Sequence, residues 1–322
     1  MNVNKIVNEF PNKKILVIGD IILDRFLEGN VERVSPEAPI PVLNVKKETL
    51  IPGGAANVAN NIVQMGGLAY LVSVVGDDDE KIKLLNVLNK NGINTGGIVT
   101  DYDRPTICKT RMVSGRQHLL RVDVEETHPL NQELTNQILF FIRNNIQNID
   151  FIVVSDYNKG VVTQNLMEQL KQIANQNQKR IFVDPKPSNK EFYKGVHYVK
   201  PNYKEACELV DVNQTENKEN HLEVGRKTSS ELNSNVIMTL AEKGLTLFEL
   251  GQEPRNLPCL PCEVKDVVGA GDTVAAAFAL ALSSNATLDE AAYIANHAAK
   301  IAVSQHSTSA VKLEELKNSL GL

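Results

Sequence analysis

The segment Asp266-Val-Val-Gly-Ala-Gly-Asp-Thr273 combines two glycines with two carboxylates and leads directly into a run of small residues. Glycines let a backbone approach a ligand closely, and the amide groups that open a helix favour an anion. Asp272 falls in the first turn of this predicted helix, beside the Gly-Ala-Gly amides. Amides that hold a developing negative charge, next to a carboxylate that can take a proton, suit phosphoryl transfer to a hydroxyl. A tight loop with Asp272 as a simple helix cap is the alternative.

A second segment, Pro52-Gly-Gly-Ala-Ala-Asn-Val-Ala-Asn60, places Gly53 and Gly54 before a predicted helix with small residues on one face. Such a helix can approach a ligand or a neighbouring helix closely. Asn57 offers hydrogen-bond donors and acceptors to hydroxyl groups. Tight structural packing explains the pattern equally well, so this segment alone leaves both interpretations open.

Two further segments place carboxylates where a predicted strand ends. Asp20 and Asp24 follow the first apolar run, at the edge where open α/β sheets hold ligands, and are candidates to bind sugar hydroxyls. Asn202 and Glu205 lie at a strand-to-helix junction with the spacing of a capping box. Glu205 is also a candidate to hold Mg²⁺, usually through water, beside nucleotide phosphates.

The elements that must position these residues alternate between strand and helix. Continuous apolar runs predict strands at residues 14–18, 70–75, 151–155, 180–184, 197–200 and 236–240. Helical patterns cover residues 55–65, 80–90, 131–146, 164–173, 203–210, 273–282, 288–303 and 312–320, and residues 211–220 are predicted to form a polar surface loop. The alternation indicates an α/β fold with a mostly parallel sheet and helices on both faces.

Residues 30–46 and 106–123 depart from this pattern, because apolar and polar residues alternate in them. A period of two favours half-exposed antiparallel strands. We expect one small sheet, the lid, formed by two insertions at about 25–50 and 104–125 in a single domain of residues 1–322. The lid would expose an apolar face in a monomer, so we expect a homodimer that pairs two lids.

Composition excludes several classes of protein. The 322 residues are 42% hydrophobic and carry a net charge of −5, which are globular proportions without the basic block of a nucleic-acid-binding protein. The longest apolar stretch, residues 274–282, is far below the roughly 20 residues that span a bilayer, and no secretory signal is visible, so we expect a soluble cytoplasmic protein. Cys259 and Cys262 have CxxC spacing, but no second pair accompanies them, so we favour incidental thiols over a zinc or redox site.

Taken in order, these segments resemble the ribokinase-like (PfkB) carbohydrate kinase family across essentially the whole chain. DxxGAGD is the family's most specific motif, and GGxxN is its amino-terminal signature. The chain has neither GxGxxG nor GxxxxGK[ST], which argues against a Rossmann-type dinucleotide fold and a P-loop kinase. The resemblance implies a ribokinase-like three-layer sandwich with a small β-sheet lid, and it implies ATP and Mg²⁺ as cofactors.

The resemblance also implies roles for individual residues. Asp272 matches the catalytic base, and the anion hole matches Gly269, Ala270 and Gly271. The positions that serve ATP and Mg²⁺ match Asn202, Glu205, Thr239, Lys243, Gly244 and Asp266. The positions that contact the sugar match Asp20, Asp24, Gly53, Gly54 and Asn57. Residues 296–308 depart from the pattern expected near the adenine.

Four other segments are similar to one branch, the D-glycero-β-D-manno-heptose-7-phosphate kinases of ADP-heptose synthesis. They are residues 33–42, Arg104-Pro-Thr106, Ser155-Asp-Tyr157 with Lys159-Gly160, and Asp184-Pro-Lys186, and they join residues 52–58 described above. This branch implies phosphorylation of the anomeric hydroxyl of a sugar that already carries a 7-phosphate.

A distal phosphate needs cations, and the candidates are Arg111, Arg121, Lys159 and Lys186. Of these, Lys186 is favoured because it follows a strand end. No HxGH motif of the adenylyltransferase often fused to such kinases is present, so we expect a stand-alone kinase. The alternatives are a family kinase for ribose, fructose or another sugar phosphate, and a nucleotide-binding regulator without turnover.

Overall fold

The computed structural model describes residues 2–115, 117–214, 218–305 and 310–322. Its strands are β1 (Lys14–Gly19), β2 (Ile21–Val34), β3 (Pro41–Gly54), β4 (Leu68–Val75), β5 (Asn94–Thr100), β6 (Cys108–Ser114), β7 (Gln117–Val124), β8 (Phe151–Ser155), β9 (Ile181–Asp184), β10 (Tyr198–Val199), β11 (Asn235–Thr239), β12 (Leu245–Phe248) and β13 (Arg255–Leu257). Its α-helices are α1 (Val3–Asn8), α2 (Ala55–Gln64), α3 (Asp79–Lys90), α4 (Gln132–Asn145), α5 (Gln164–Gln176), α6 (Tyr203–Leu209), α7 (Lys218–Leu232), α8 (Ala270–Ser283), α9 (Leu288–Val303) and α10 (Leu313–Leu320).

The main sheet has the strand order β13-β12-β11-β10-β9-β8-β1-β4-β5. Its pairs are parallel from β5 to β11, and the two pairs at the β12–β13 edge are antiparallel. In the register, Gly19 pairs with Ser155, and Ser155 pairs with Asp184. The carboxyl ends of β1, β8 and β9 therefore lie level, which brings the residues that follow them to one place.

Apolar side chains fill both faces of this sheet. One core lies between the sheet and helices α2, α8 and α9, where the rings of Phe182 and Phe278 stack at 6.0 Å. The other core lies against α4, α5 and α6. Helix α8 is buried almost throughout, and its alanines let it approach both the sheet and α2 closely. The predicted ribokinase-like α/β sandwich is confirmed.

The lid is a four-stranded sheet in the order β3-β2-β6-β7. One part of its prediction is wrong, because β2 and β6 pair in parallel rather than antiparallel. The cause lies in the main sheet: β2 follows the carboxyl end of β1, and β6 follows that of β5. Since β1 and β5 point the same way, both chains enter the lid in the same direction.

Gly54 joins the lid to the main body, where β3 ends and α2 begins. Its φ of 61° lies in a region that favours glycine, and a Cβ there would lie 2.4 Å from the carbonyl oxygen of Asp20. The same carbonyl accepts the amide of Ala55 at 2.9 Å. The second glycine of the GG pair is thus required by the backbone that positions α2.

Several elements were absent from the sequence prediction. These are the edge strands β5 and β13, strand β12 beside β13, the short helix α1, and α7, which begins at Lys218 inside the stretch predicted as a polar loop. Residues 215–217 of that stretch lie outside the described residues. Among the helices that are described, none combines the length and apolar character needed to cross a membrane.

Candidate active site

The candidate site lies at the carboxyl ends of β1, β8, β9 and β10, facing the amino-terminal ends of α2 and α8. Parallel strands deliver their following residues to this edge, where open α/β sheets hold ligands. The site brings together most of the residues that the sequence analysis predicts to bind ligands or to take part in catalysis.

Asp272 lies at the centre of the site. Its side chain is buried in the first turn of α8, where Asn57 Nδ2 donates to Oδ2 at 2.7 Å and the hydroxyl of Tyr157 donates to Oδ1 at 2.8 Å. Burial raises the pKa of Asp272 to about 6, since desolvation disfavours the charged form more than these bonds favour it. A carboxylate with a pKa this close to neutrality is suited to accept a proton.

Asn57, predicted as a sugar contact, is bonded directly to Asp272. Its amide nitrogen donates to Asp272, and Asn61 Nδ2 donates to its Oδ1 at 3.2 Å. The hydroxyl of Thr273 in turn donates to Asn61 Oδ1 at 3.0 Å. This chain of buried amides fixes α2 against α8, so the GGxxN segment holds the carboxylate of the DxxGAGD segment.

The backbone before Asp272 forms a tight turn at the residues predicted to bind an anion. Gly269 has a φ of 81°, a left-handed conformation that glycine adopts without strain. The amide of Ala270 donates to the carbonyl of Val267 at 3.3 Å, so it serves the turn itself. Helix geometry leaves the first-turn amides of Gly271 and Asp272 without intrahelical acceptors, and Gly271 is exposed. These two amides are the better placed to receive an anion.

Lys200 adds a buried cation that the sequence analysis assigned no role. It follows β10, and its Nζ lies 3.0 Å from Asp184 Oδ1. A Cβ added to Gly271 would lie 3.7 Å from the same nitrogen. The positive charge therefore borders the anion-binding turn. The KPN sequence at this strand end is the signal that could have identified it.

Three of the predicted nucleotide residues line a cavity of about 590 Å³ beside this turn. Asn202, Thr239, Gly244 and Gly271 line it, and Lys243 lines an adjoining cavity of about 330 Å³. Asp266 accepts the amide of Val268 at 2.9 Å, which shapes the turn. Part of the predicted adenine region, residues 306–309, lies outside the described residues.

Glu205 forms the capping box predicted for α6. Its backbone amide donates to Asn202 Oδ1 at 2.9 Å, and its Oε2 accepts the backbone amide of Asn202 at 3.0 Å. Lys186 Nζ donates to its Oε1 at 2.7 Å. Lys186, predicted to bind the sugar phosphate, is thus bonded to one of the predicted nucleotide residues.

Cys259 and Cys262 line the larger cavity as free thiols. In the described ranges, no three or more His, Cys, Asp or Glu side chains are grouped so that they could hold a metal ion. The pair forms part of the cavity wall, beside Leu260 and Pro261.

Asp20, predicted as a sugar contact, is bonded to the loop that follows β8. Its side chain is fully buried, and it accepts the backbone amides of Tyr157, Lys159 and Val161 at 2.9, 3.1 and 3.0 Å. Burial, reinforced by the nearby Asp156, raises the pKa of Asp20 to about 6. This carboxylate anchors the loop that carries Tyr157.

The other predicted sugar residues lie between the main sheet and the lid. Asp24 bonds to the guanidinium of Arg111, and a Cβ on Gly53 would lie 2.2 Å from Asp24 Oδ2. The first glycine of the GG pair therefore makes room for this carboxylate. Lys159 Nζ donates to Glu125 Oε1 at 2.6 Å.

Comparisons with known proteins show the family and the fold of this chain. A sequence model described as pfkB family carbohydrate kinase matches residues 12–315. The chain belongs to this family. The chain superposes on a solved structure of Arabidopsis thaliana ribokinase, complexed with ribose and ATP, with a TM-score of 0.75. The two sequences are 19% identical, and the superposition covers 96% of this chain and 99% of the ribokinase. Escherichia coli phosphofructokinase-2, in its tetrameric inhibited form, gives a TM-score of 0.75 at 18% identity, over 96% and 98% of the two chains.

Relatives of greater sequence similarity carry the name Bifunctional protein HldE. The protein from Helicobacter pylori strain HPAG1 is 40% identical over 306 residues, which is 94% of this chain and 65% of the relative. The one from Aliarcobacter butzleri is 38% identical over 310 residues, 95% of this chain and 63% of the relative. This pfkB chain therefore spans less than two thirds of the length of these curated relatives.

The anchoring role of Asp20 gives a prediction for hydrogen exchange. In Asp20→Asn one amide oxygen replaces two carboxylate oxygens, so not all three amides keep an acceptor. We expect exchange in residues 157–161 to accelerate by roughly tenfold or more, measured by hydrogen–deuterium exchange mass spectrometry. The matched variant Asp24→Asn loses a bond to a side chain only and should leave this loop protected. Unchanged exchange in Asp20→Asn would contradict the anchoring role.

Proposed function

We propose that this chain is an ATP-dependent kinase that phosphorylates the anomeric hydroxyl of D-glycero-β-D-manno-heptose 7-phosphate. The product would be the 1,7-bisphosphate, used in ADP-heptose synthesis. The observation that carries the chemistry is the buried Asp272 carboxylate beside the first-turn amides of α8. The sugar is supported by the heptose-branch segments and by the similarity of 94% of the chain to a Bifunctional protein HldE.

In this proposal the sugar lies under the lid with its anomeric hydroxyl against Asp272. As the oxygen forms its bond to the γ-phosphorus and the bond to ADP breaks, Asp272 takes the hydroxyl proton. The amide of Gly271 and the ammonium of Lys200 stabilise the charge on the transferring group. Positioning and charge stabilisation supply most of the catalysis, since the transition state of phosphoryl transfer is loose.

The residues near the turn fit Mg²⁺ in an indirect mode. Both oxygens of Glu205 are already bonded, to Lys186 and to the amide of Asn202. Such a carboxylate suits an ion held mainly by nucleotide phosphates and reached through water, as Mg²⁺ commonly is. When bound, Mg²⁺ would neutralise phosphate charge there.

We assign the distal 7-phosphate to cations on the sugar side of the cleft. Arg111 projects from the lid beside Asp24, and Lys159 lies on the loop that Asp20 anchors. Both are paired with a carboxylate, so an arriving phosphate would compete with Asp24 and Glu125 for them. Lys186 is reassigned to the nucleotide phosphates because of its bond to Glu205.

Substrate choice is tested by ADP release across a panel of sugars. We expect turnover with heptose 7-phosphate and a kcat/KM at least about 100-fold lower with unphosphorylated heptose, because two charge-assisted contacts are lost. Asp272→Asn should lower kcat by about 10²–10⁴-fold while calorimetry shows retained sugar-phosphate binding. Asp79→Asn, at an exposed aspartate in the first turn of α3, is the matched control and should keep full activity.

Three outcomes would count against the proposal. Turnover only with free hexoses, ribose or fructose phosphates would overturn the heptose assignment and leave the kinase chemistry standing. Full activity in Asp272→Asn would refute the base. ADP release with none of the sugars would favour a regulator that binds nucleotide without turnover.

The lid also supports a homodimer. On β7, Leu120, Val122 and Val124 are 40–56% exposed on one face, while Arg121 and Asp123 occupy the alternate positions. Val34 and Ile40, at the tip of the β2–β3 hairpin, are exposed as well. We propose that a second copy covers this apolar face, since pairing about a two-fold axis buries the same patch on both chains.

The dimer is tested by sedimentation velocity at several concentrations. The unmodified protein should sediment as a species with twice the mass of one chain, which is 35.5 kDa. Leu120→Glu buries a charge in the proposed contact and should give the single-chain mass. Phe140→Glu, at an exposed apolar residue on α4, is the control and should stay dimeric. A monomer mass for the unmodified chain at every concentration would contradict the proposal.

A further inference from the structure

Tyr157 links two parts of the site that the sequence motifs do not connect. It follows β8, 115 positions before Asp272, yet its hydroxyl donates to Asp272 Oδ1 at 2.8 Å. Its backbone amide donates to Asp20 Oδ2 at 2.9 Å. The residue is therefore fixed at both ends, by one carboxylate through its backbone and by another through its side chain.

Tyr157 is the donor in its hydrogen bond to Asp272, because its phenol keeps its proton. Burial, together with the negative charges of Asp272, Asp184 and Asp24, raises the pKa of Tyr157 well above its ordinary value. The phenol stays protonated throughout the working range of pH and acts as the donor to Asp272. With Asn57 Nδ2 on Oδ2, each carboxylate oxygen has one fixed donor and keeps a lone pair for a substrate hydroxyl.

We infer that Tyr157 is a positioning residue for the phosphoryl-transfer step: its hydroxyl fixes the orientation of the Asp272 carboxylate and favours the ionised form that can accept the sugar proton. The inference rests on the proposed function of this site. It assigns Tyr157 no contact with the sugar or with ATP. Its effect passes entirely through Asp272.

The groups around Asp272 determine how far, and in which direction, its pKa should change when Tyr157 is replaced. Asp184 raises the pKa of Asp272, whereas Lys200, Asn57 and Tyr157 lower it, all against the larger rise from burial. Lys186 Nζ lies 5.8 Å from the centre of the Tyr157 ring. Tyr157→Phe removes one lowering contribution and leaves these charged groups unchanged. The pKa of Asp272 should therefore rise.

The test is the pH dependence of kcat/KM for Tyr157→Phe. The base must be ionised, so kcat/KM of the unmodified enzyme should fall as the pH drops through about 6, the pKa of Asp272. In Tyr157→Phe this acid limb should shift upward by about one pH unit, as expected for loss of one hydrogen bond to a charged group. At high pH, where Asp272 is ionised in both enzymes, the difference in rate should shrink.

A matched control and a direct titration separate this role from simple packing. Tyr193 is another buried tyrosine whose hydroxyl bonds a carboxylate, that of Asp156, so Tyr193→Phe should leave the acid limb in place. ¹³C NMR of labelled aspartate carboxylates, with Asp272 assigned by the signal missing in Asp272→Asn, should show the same upward shift in Tyr157→Phe. This readout needs no turnover, so it tests Tyr157 even if the proposed substrate is wrong.

An unshifted acid limb and an unshifted Asp272 titration in a folded Tyr157→Phe would overturn the inference. An equal shift in Tyr193→Phe would also overturn it, since the effect would then be general to buried tyrosines. If Tyr157→Phe does not fold, incorporation of 3-fluorotyrosine at position 157 strengthens the donor and should move the acid limb to lower pH. No movement with that residue would equally refute the role.

Discussion

The proposed chemistry depends on one constraint: a carboxylate must be buried enough to bring its pKa close to neutrality, so that it can accept a proton, and must still keep one orientation. Asp272 meets it at the start of α8, with a pKa of about 6 and donors on both oxygens. Much of the surrounding structure serves this arrangement. Alanines bring α8 close to the sheet, Gly54 admits the turn into α2, and Asp20 fixes the loop that carries Tyr157.

Charge is divided on either side of this carboxylate. Toward the nucleotide cavity lie Lys200 and Lys186, bonded to Asp184 and Glu205. Toward the lid lie Arg111 and Lys159, bonded to Asp24 and Glu125. In the proposed reaction, two phosphorylated ligands would meet at Asp272 with separate sets of cations, although the chain as a whole carries a net charge of −5. Pairing each cation with a carboxylate limits the repulsion among these positive charges.

Local patterns predict the parts of this molecule whose cause is local. Continuous apolar runs predict β1, β4, β8 and β11, because strands buried on both faces need them. Edge strand β5 contains Asn94-Thr-Gly-Gly97 and gives no such signal. The turn before Asp272 is a local motif and was predicted. The contacts of Tyr157 and Lys200 depend on which strands are neighbours and on how their ends align, and no local pattern in the sequence gives this. The side chain of a residue just after a strand, such as Asp20, can point into the protein or into the cleft, and local sequence does not decide between the two.

The most direct test of the account is a crystal structure of the chain with heptose 7-phosphate and a non-hydrolysable ATP analogue. We predict the anomeric oxygen within about 3 Å of an Asp272 oxygen and about 3–3.5 Å from the γ-phosphorus, with Asn57 and Tyr157 still bonded to the carboxylate. A sugar that presents another hydroxyl to Asp272, or an Asp272 side chain turned away from both ligands, would contradict the central claim.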